Sequence, residues 1–139
     1  MAQEIRDVMT QDVVALPTDT SLADASRAMR ERDIGDVLVV DGDRLAGIVT
    51  DRDIVVRAIA EDRSPSDTTV GELATGDVTS LSPEDSVEDA IRIMRDQAVR
   101  RIPVVENDRP VGIVSIGDLA VERDPNSALA DISVADPDE

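Results

Sequence analysis

Gly47-Ile48-Val49-Thr50-Asp51-Arg52-Asp53 recurs in the second half of the chain as Gly112-Ile113-Val114-Ser115-Ile116-Gly117-Asp118. The same shift holds without a gap through the flanking residues. Val13 falls on Val78, Leu16 on Leu81, Ser21 on Ser86, Asp24-Ala25 on Asp89-Ala90, Met29-Arg30 on Met94-Arg95 and Asp43-Arg44 on Asp108-Arg109. An internal duplication is read before anything else, because two copies of one supersecondary unit decide the fold.

Each copy predicts the order strand, helix, strand, strand, helix, an α/β (α+β) fold of two β-α-β-β-α repeats. In the first copy Val13 to Leu16 is a short β-branched run ended by Pro17. Ser21 then caps a helix, with Asp24 as the other half of a capping box. Leu22, Ala25, Met29 and Arg32 share one helical stripe, and the helix ends near Asp33 to Gly35. Val37 to Val40 is a continuous apolar run, as in strands buried on both faces. Asp41-Gly42-Asp43 is turn chemistry, and Leu45 to Val49 is the return strand. Thr50 opens a second helix to about Ala60, with Ile54, Val55, Ala58 and Ile59 as its apolar side.

The second copy predicts a strand over 78–81, then a helix capped by Ser86 and Asp89 and carrying Val87, Ala90, Ile91 and Met94. A hairpin of 102–105 and 111–114 turns at Asn107-Asp108, and Ser115 opens a last helix to about Arg123. Val70 to Thr75 mirrors Ile5 to Thr10. The chain therefore divides into a first repeat (1–63), a polar connector (64–69), a second repeat (70–123) and an acidic tail (124–139). In the tail, Ala128-Leu129 and Ile132 are candidate anchors, for instance to a partner subunit. A half this small buries little surface alone. The apolar runs predict two halves packed through their sheets about a pseudo-twofold axis.

Composition narrows the function. The chain has 139 residues, 41% hydrophobic, enough for a globular core. No segment approaches the roughly 20 apolar residues that span a bilayer. The charged N-terminus lacks a secretory signal, which predicts an intracellular, cytoplasmic protein. The net charge of −17 argues against nucleic acid and anionic membranes as partners. All 14 basic residues are Arg, and the acid is spread along the whole chain, as on a surface that stays soluble in high salt; a halophilic source follows. The alternative is an acidic face for a cationic partner. With no His, Lys, Cys or Tyr, an enzyme would have to work with carboxylates and hydroxyls, and no signature for one is present. No thiolate metal site exists, and no aromatic ring is available to stack on a base.

The repeated Gly-x-x-Thr/Ser-x-x-Asp carries the chemistry. Its structural reading is a pair of capping boxes, Thr50 with Asp53 and Ser115 with Asp118, each worth roughly 0.5–2 kcal/mol. Its functional reading uses the same geometry. A helix N-terminus with a hydroxyl suits a phosphate, and a carboxylate one turn on can accept both hydrogen bonds of a ribose diol.

The chain resembles a tandem pair of cystathionine-β-synthase (CBS) domains, a Bateman module. The matching pieces are Val8-Met9-Thr10, Ala25 to Met29, Val37 to Asp41 and Gly47 to Asp53, then Ala90 to Met94, Val99 to Glu106 and Gly112 to Asp118. The likeness covers Ile5 to Arg123 and is greatest to stand-alone pairs of the hypoxic-response type. It implies a non-catalytic sensor that binds an adenosine-containing ligand in clefts between the repeats: AMP, ADP, ATP, S-adenosylmethionine or an NAD-like molecule. No cofactor is required, and the adenine nucleotide or S-adenosylmethionine acts as a regulatory ligand. By the resemblance Asp53 and Asp118 hold ribose and Thr50 and Ser115 lie near phosphate. Val13-Val14 and Val78-Thr79 line the base, and Arg100-Arg101 reach phosphate. A face-to-face homodimeric disc and a regulated protein partner are also implied. The copies depart from each other at Gly35-Asp36 against Arg100-Arg101, and at Arg52 against Gly117, so their sites are unequal. The competing reading is a ligand-free dimeric docking platform.

Overall fold

The computed structural model describes residues 3–74, 78–123 and Ile132. In chain order the elements are α1 (Ile5–Val8), β1 (Ala15–Pro17), α2 (Leu22–Arg32), β2 (Asp36–Asp41), β3 (Arg44–Thr50), α3 (Asp51–Arg57), α4 (Val70–Leu73), α5 (Val87–Gln97), β4 (Arg101–Glu106), β5 (Arg109–Ser115) and α6 (Ile116–Arg123). A 3-10 turn, Ile59–Glu61, follows α3. The class is mixed α/β with two repeats, each holding a small sheet and helices.

The compact units do not coincide with the sequence repeats. Among the described residues, one gathers 13–74 and Val78 with Asp108–Pro110; the other gathers 3–12, Thr79–Asn107 and 111–123. The leading helices are exchanged. The Val70 N–H donates to the Thr20 carbonyl at 2.8 Å, so α4 belongs with the first copy's core. The Ile5 N–H donates to the Asp85 carbonyl at 2.8 Å, so α1 belongs with the second copy's core. Ile5 and Val70 are equivalent in the duplication, as are Thr20 and Asp85, so one rule operates twice.

In the first unit β1 runs parallel to β2, and β2 pairs antiparallel with β3 through a bulge at Val39/Val40. Val37, Leu38 and Val39 are fully buried, as their continuous apolar run predicts. Val37 and Val39 pack with Leu22, Ala25 and Met29 of α2 and with Val70 and Leu73 of α4. The Ser21 hydroxyl caps α2 by accepting the Asp24 N–H at 3.1 Å. The Asp24 carboxylate turns to Arg27, at 2.6 Å, and leaves this predicted capping box half-formed. The helix ends at Asp33 in the left-handed conformation.

In the second unit β4 pairs with β5, and Ile102, Val104 and Val114 pack with Val87, Ala90 and Met94 of α5 and with Ile5. Asn107 and Asp108 both have positive φ, the requirement of a two-residue primed turn.

Three further expectations need correction. The predicted strand over 78–81 is reduced to an isolated parallel bridge, Leu81 to Val104. The cause is Pro103. In the first copy the Leu38 N–H donates to the Val14 carbonyl at 2.9 Å. Pro103 stands at the place of Leu38 and has no N–H to offer Thr79. Second, α3 stops at Arg57, with a 3-10 turn beyond it, rather than running to Ala60. Third, Ile54 and Ala58 are buried, but Val55 and Ile59 are not; Val55 is 58% exposed. The predicted tail anchor Ala128-Leu129 lies outside the described residues, and Ile132 is 71% exposed.

Candidate functional site

The first motif sits where β3 becomes α3. The Thr50 Oγ1 accepts the Asp53 N–H at 3.0 Å, and the Asp53 Oδ2 accepts the Thr50 N–H at 2.9 Å. The capping box read from the sequence is therefore complete. Asp36 is the cross-strand partner of Thr50, and the Asp51 N–H donates to the Gly35 carbonyl at 2.9 Å. Strand end, helix start and the residues preceding β2 are thus tied together. The half-buried Val14 enters beside them, because its carbonyl accepts from Leu38 of β2. Val13 precedes it and is also half-buried. Arg52 is exposed, its N–H donating to the Asp51 Oδ1 at 2.7 Å. The sequence reading misses Arg57, whose Nη1 lies 3.8 Å from the Asp53 Oδ1. Its signal is the i,i+4 spacing of opposite charges on one helix.

The second motif repeats this geometry. The Ser115 Oγ accepts the Asp118 N–H at 3.1 Å, and the Asp118 Oδ2 accepts the Ser115 N–H at 2.9 Å. The Ile116 N–H donates to the Arg100 carbonyl at 2.9 Å, matching Asp51 to Gly35. Arg100-Arg101 therefore occupy the place of Gly35-Asp36.

Thr10, which the sequence does not mark as part of the site, joins here. Its hydroxyl makes a long hydrogen bond, 3.5 Å, to the Asp118 Oδ2. Thr10 is held by paired backbone bonds with Ile113, at 2.8 and 3.0 Å. This approach explains the glycine of the motif. A Cβ on Gly112 would lie 2.6 Å from the Met9 sulfur and 3.0 Å from the Thr10 carbonyl oxygen.

Other predicted site residues disperse. The Thr79 hydroxyl donates to the Gln97 Oε1 at 2.8 Å, and Val78 is half-buried outside any strand. Arg100 lines a groove of about 490 Å³ with Arg95, Met94, Val99, Ile116 and Leu119; neither Ser115 nor Asp118 lines it. Arg101 is exposed at the start of β4.

Two carboxylates are tuned by caps outside the motifs. Hydrogen bonds from Ser86 hold the Asp89 carboxyl below its ordinary value of 3.8, with Arg92 adding to the effect. The Thr69 N–H and hydroxyl hold Glu72 below 4.5, assisted by Arg63. Both are structural helix starts.

The family model for the CBS domain matches residues 5–59 and again 70–123. The chain belongs to the CBS-domain family. This CBS pair is 36% identical over 133 residues to the CBS domain-containing protein YhcV of Bacillus subtilis, covering 93% of this chain and 94% of that one. It is 38% identical over 116 residues to Hypoxic response protein 1 of Mycobacterium tuberculosis, covering 83% and 81%. A crystal structure of Hypoxic Response Protein I with two coordinated zinc ions superposes with a TM-score of 0.78 at 37% identity, covering 85% of this chain and 97% of that one. The CBS-domain containing protein ATU1752 of Agrobacterium tumefaciens superposes with a TM-score of 0.76 at 33% identity, covering 88% and 95%.

CBS pairs are in general regulatory modules, and no enzyme family is indicated for this one. Its sequence has neither His nor Cys, so it lacks the nitrogen and sulfur donors zinc usually takes. No helix among the described residues is long and apolar enough to cross a membrane.

Proposed function

We propose that this CBS pair is a non-catalytic sensor for an adenosine-containing ligand, of the AMP, ADP, ATP, S-adenosylmethionine or NAD-like classes. Ligand occupancy at the motifs shifts the conformation that a partner protein reads. The observation that carries this reading is the duplicated strand-to-helix junction. Each copy brings a hydroxyl and a carboxylate to one helix start, Thr50 with Asp53 and Ser115 with Asp118. In both copies the cap occupies the Oδ2 of the aspartate. A ribose diol then has the Oδ1 edge as its acceptor, in the first copy beside the Arg57 guanidinium. The second motif is the stronger phosphate site, because Arg101 stands where the first has Asp36.

A second reading, a ligand-free docking platform, draws on the same closed caps, since they account for the motif residues without a ligand. Replacing Asp118 by Ala separates the two. Under the sensor reading, affinity for adenosyl compounds falls by at least tenfold while stability drops by about one capping interaction, roughly 0.5–2 kcal/mol. If stability alone changes and no adenosyl compound binds the parent chain, the platform reading replaces it.

A further inference from the structure

We propose that Arg57 is a positioning residue that couples the first motif to α4. Its guanidinium is shared between the Asp53 carboxylate and the C-terminal carbonyl of α4, so that an occupant of Asp53 tightens α4. The Arg57 Nη1 donates to the Leu73 carbonyl at 2.8 Å and lies 3.8 Å from the Asp53 Oδ1. The first contact is a hydrogen bond; the second is an ion pair too long to be one. Both oxygens therefore draw on the same nitrogen. The Arg57 side chain is about half exposed and has room to lean either way.

The end of α4 depends on this contact. The helix has only four residues, Val70–Leu73, far below the length at which a helix holds by itself. Its start is closed by the capping box of Thr69 and Glu72, and Arg63 holds Glu72 at 2.9 Å. Val70 and Leu73 are buried in the first unit's core with Ile54 and Ala58. At its other end the last carbonyls lack helical partners, and a guanidinium there acts both as donor and as a cation at the negative pole. α4 opens the second sequence repeat although it folds within the first unit, and the chain beyond it runs on to the second unit from Thr79. Arg57 thus holds the end of α4 from which that chain departs.

The coupling has a direction. The Asp53 carboxylate draws Nη1 away from Leu73. Under the proposed sensor function, on which this step rests, a ribose diol donates to the Oδ1 and takes up part of that negative charge. The pull on Arg57 weakens, the guanidinium settles on the Leu73 carbonyl, and α4 opens less often. The second copy carries Glu122 at the place of Arg57, so the coupling belongs to the first motif.

The test is residue-resolved amide hydrogen exchange of the full chain in high salt, read at the Ala74 N–H. This amide donates to the Val70 carbonyl at 2.8 Å and reports the opening of α4. The Leu38 N–H, held by the Val14 carbonyl at 2.9 Å, reports the core of the same unit and corrects for any change in overall stability. The chains are the parent, Asp53→Asn, Arg57→Gln and the double variant. Asn at this position removes the charge and keeps an oxygen for the Thr50 N–H, so the capping box is retained. Relative to Leu38, Ala74 is expected to exchange roughly two- to fivefold more slowly in Asp53→Asn, the scale of an exposed ion pair. It should exchange faster in Arg57→Gln, and at that same rate in the double variant. Saturating AMP, added to an Asp118→Ala chain so that only the first motif is filled, should slow Ala74 and should no longer do so once Arg57→Gln is added. Unchanged or faster exchange of Ala74 in Asp53→Asn overturns the sharing. So does an equal effect of Asp53→Asn when Arg57 is absent, or AMP that binds the Asp118→Ala chain without moving Ala74. A parent chain that binds no AMP counts against the ligand reading alone, and the comparison of Asp53→Asn with the double variant then decides the coupling by itself.

Discussion

Asp36 pairs with Thr50 across the β2–β3 ladder, which sets a carboxylate next to the hydroxyl of the first motif. Directly opposed strand residues bring their side chains within about 5 Å of each other. In the second copy the equivalent place is held by Arg101. The duplication therefore preserves the scaffold of the motif and reverses the charge beside it.

Under the proposed sensor function, this reversal makes the first site the weaker one for a phosphate. Replacing Asp36 by Arg is expected to tighten AMP binding at that motif by about tenfold, from the change of two charges near a partly solvated anion. Adenosine, which lacks the phosphate, should bind as before. Calorimetric titration of both ligands checks this; equal changes for the two would show that Asp36 does not face a phosphate.

Gly112 is held by close approach rather than by a turn. Its missing side chain makes room for Met9 and Thr10 of the leading segment. Gly112→Ala is expected to cost about 1–3 kcal/mol, the usual range for overpacking. Gly71 has the same function in the other unit, where a Cβ would lie 2.7 Å from the Thr18 carbonyl oxygen. Chemical denaturation of both variants measures the effect. Unfolding midpoints that match the parent's in both variants would mean that the leading helices pack loosely.

Much of this organisation is legible in the sequence, and the limits have physical causes. The helix starts at Ser21, Thr50, Ser86 and Ser115 can be read because a cap is local: donor and acceptor lie within one helical turn. The exchange of α1 and α4 cannot. In a duplicated chain Ile5 and Val70 are equivalent, so pattern alone does not say whether Asp85 or Thr20 accepts from either. The loss of the strand before Leu81 is in principle readable, because Pro103 replaces a ladder donor. That signal, however, lies beyond the whole of α5 from the strand it removes. Thr10 belongs to a matching motif, yet its place at Asp118 depends on the same helix exchange. The outward face of Val55 and Ile59 escapes pattern reading because apolar spacing marks a stripe without saying what buries it.

Acid should destabilise the protein through its caps. Asp89 and Glu72 have folded-state pKa values below their ordinary 3.8 and 4.5. As pH falls, the unfolded chain takes up protons more readily than the folded one. Their contribution is therefore full above about pH 4.5 and is lost as pH drops through the lowered folded values. Asp89→Asn should flatten the fall in stability below about pH 4.5 and lower the neutral-pH stability slightly. Thermal melts from neutral to acidic pH measure this. An unchanged acid slope in the variant would remove Asp89 as a contributor.

Ligand binding is tested most directly by the thermal midpoint of the full chain in high salt, with AMP, ATP, S-adenosylmethionine or NAD added at increasing concentration. A ligand at a hundred times its dissociation constant stabilises the folded state by about 2.7 kcal/mol, on the order of 5–10 °C for a chain of this size. A saturable rise of that order with at least one of the four, abolished in a chain carrying both Asp53→Ala and Asp118→Ala, is the expected result. A midpoint that none of the four moves would contradict adenosyl sensing at these motifs.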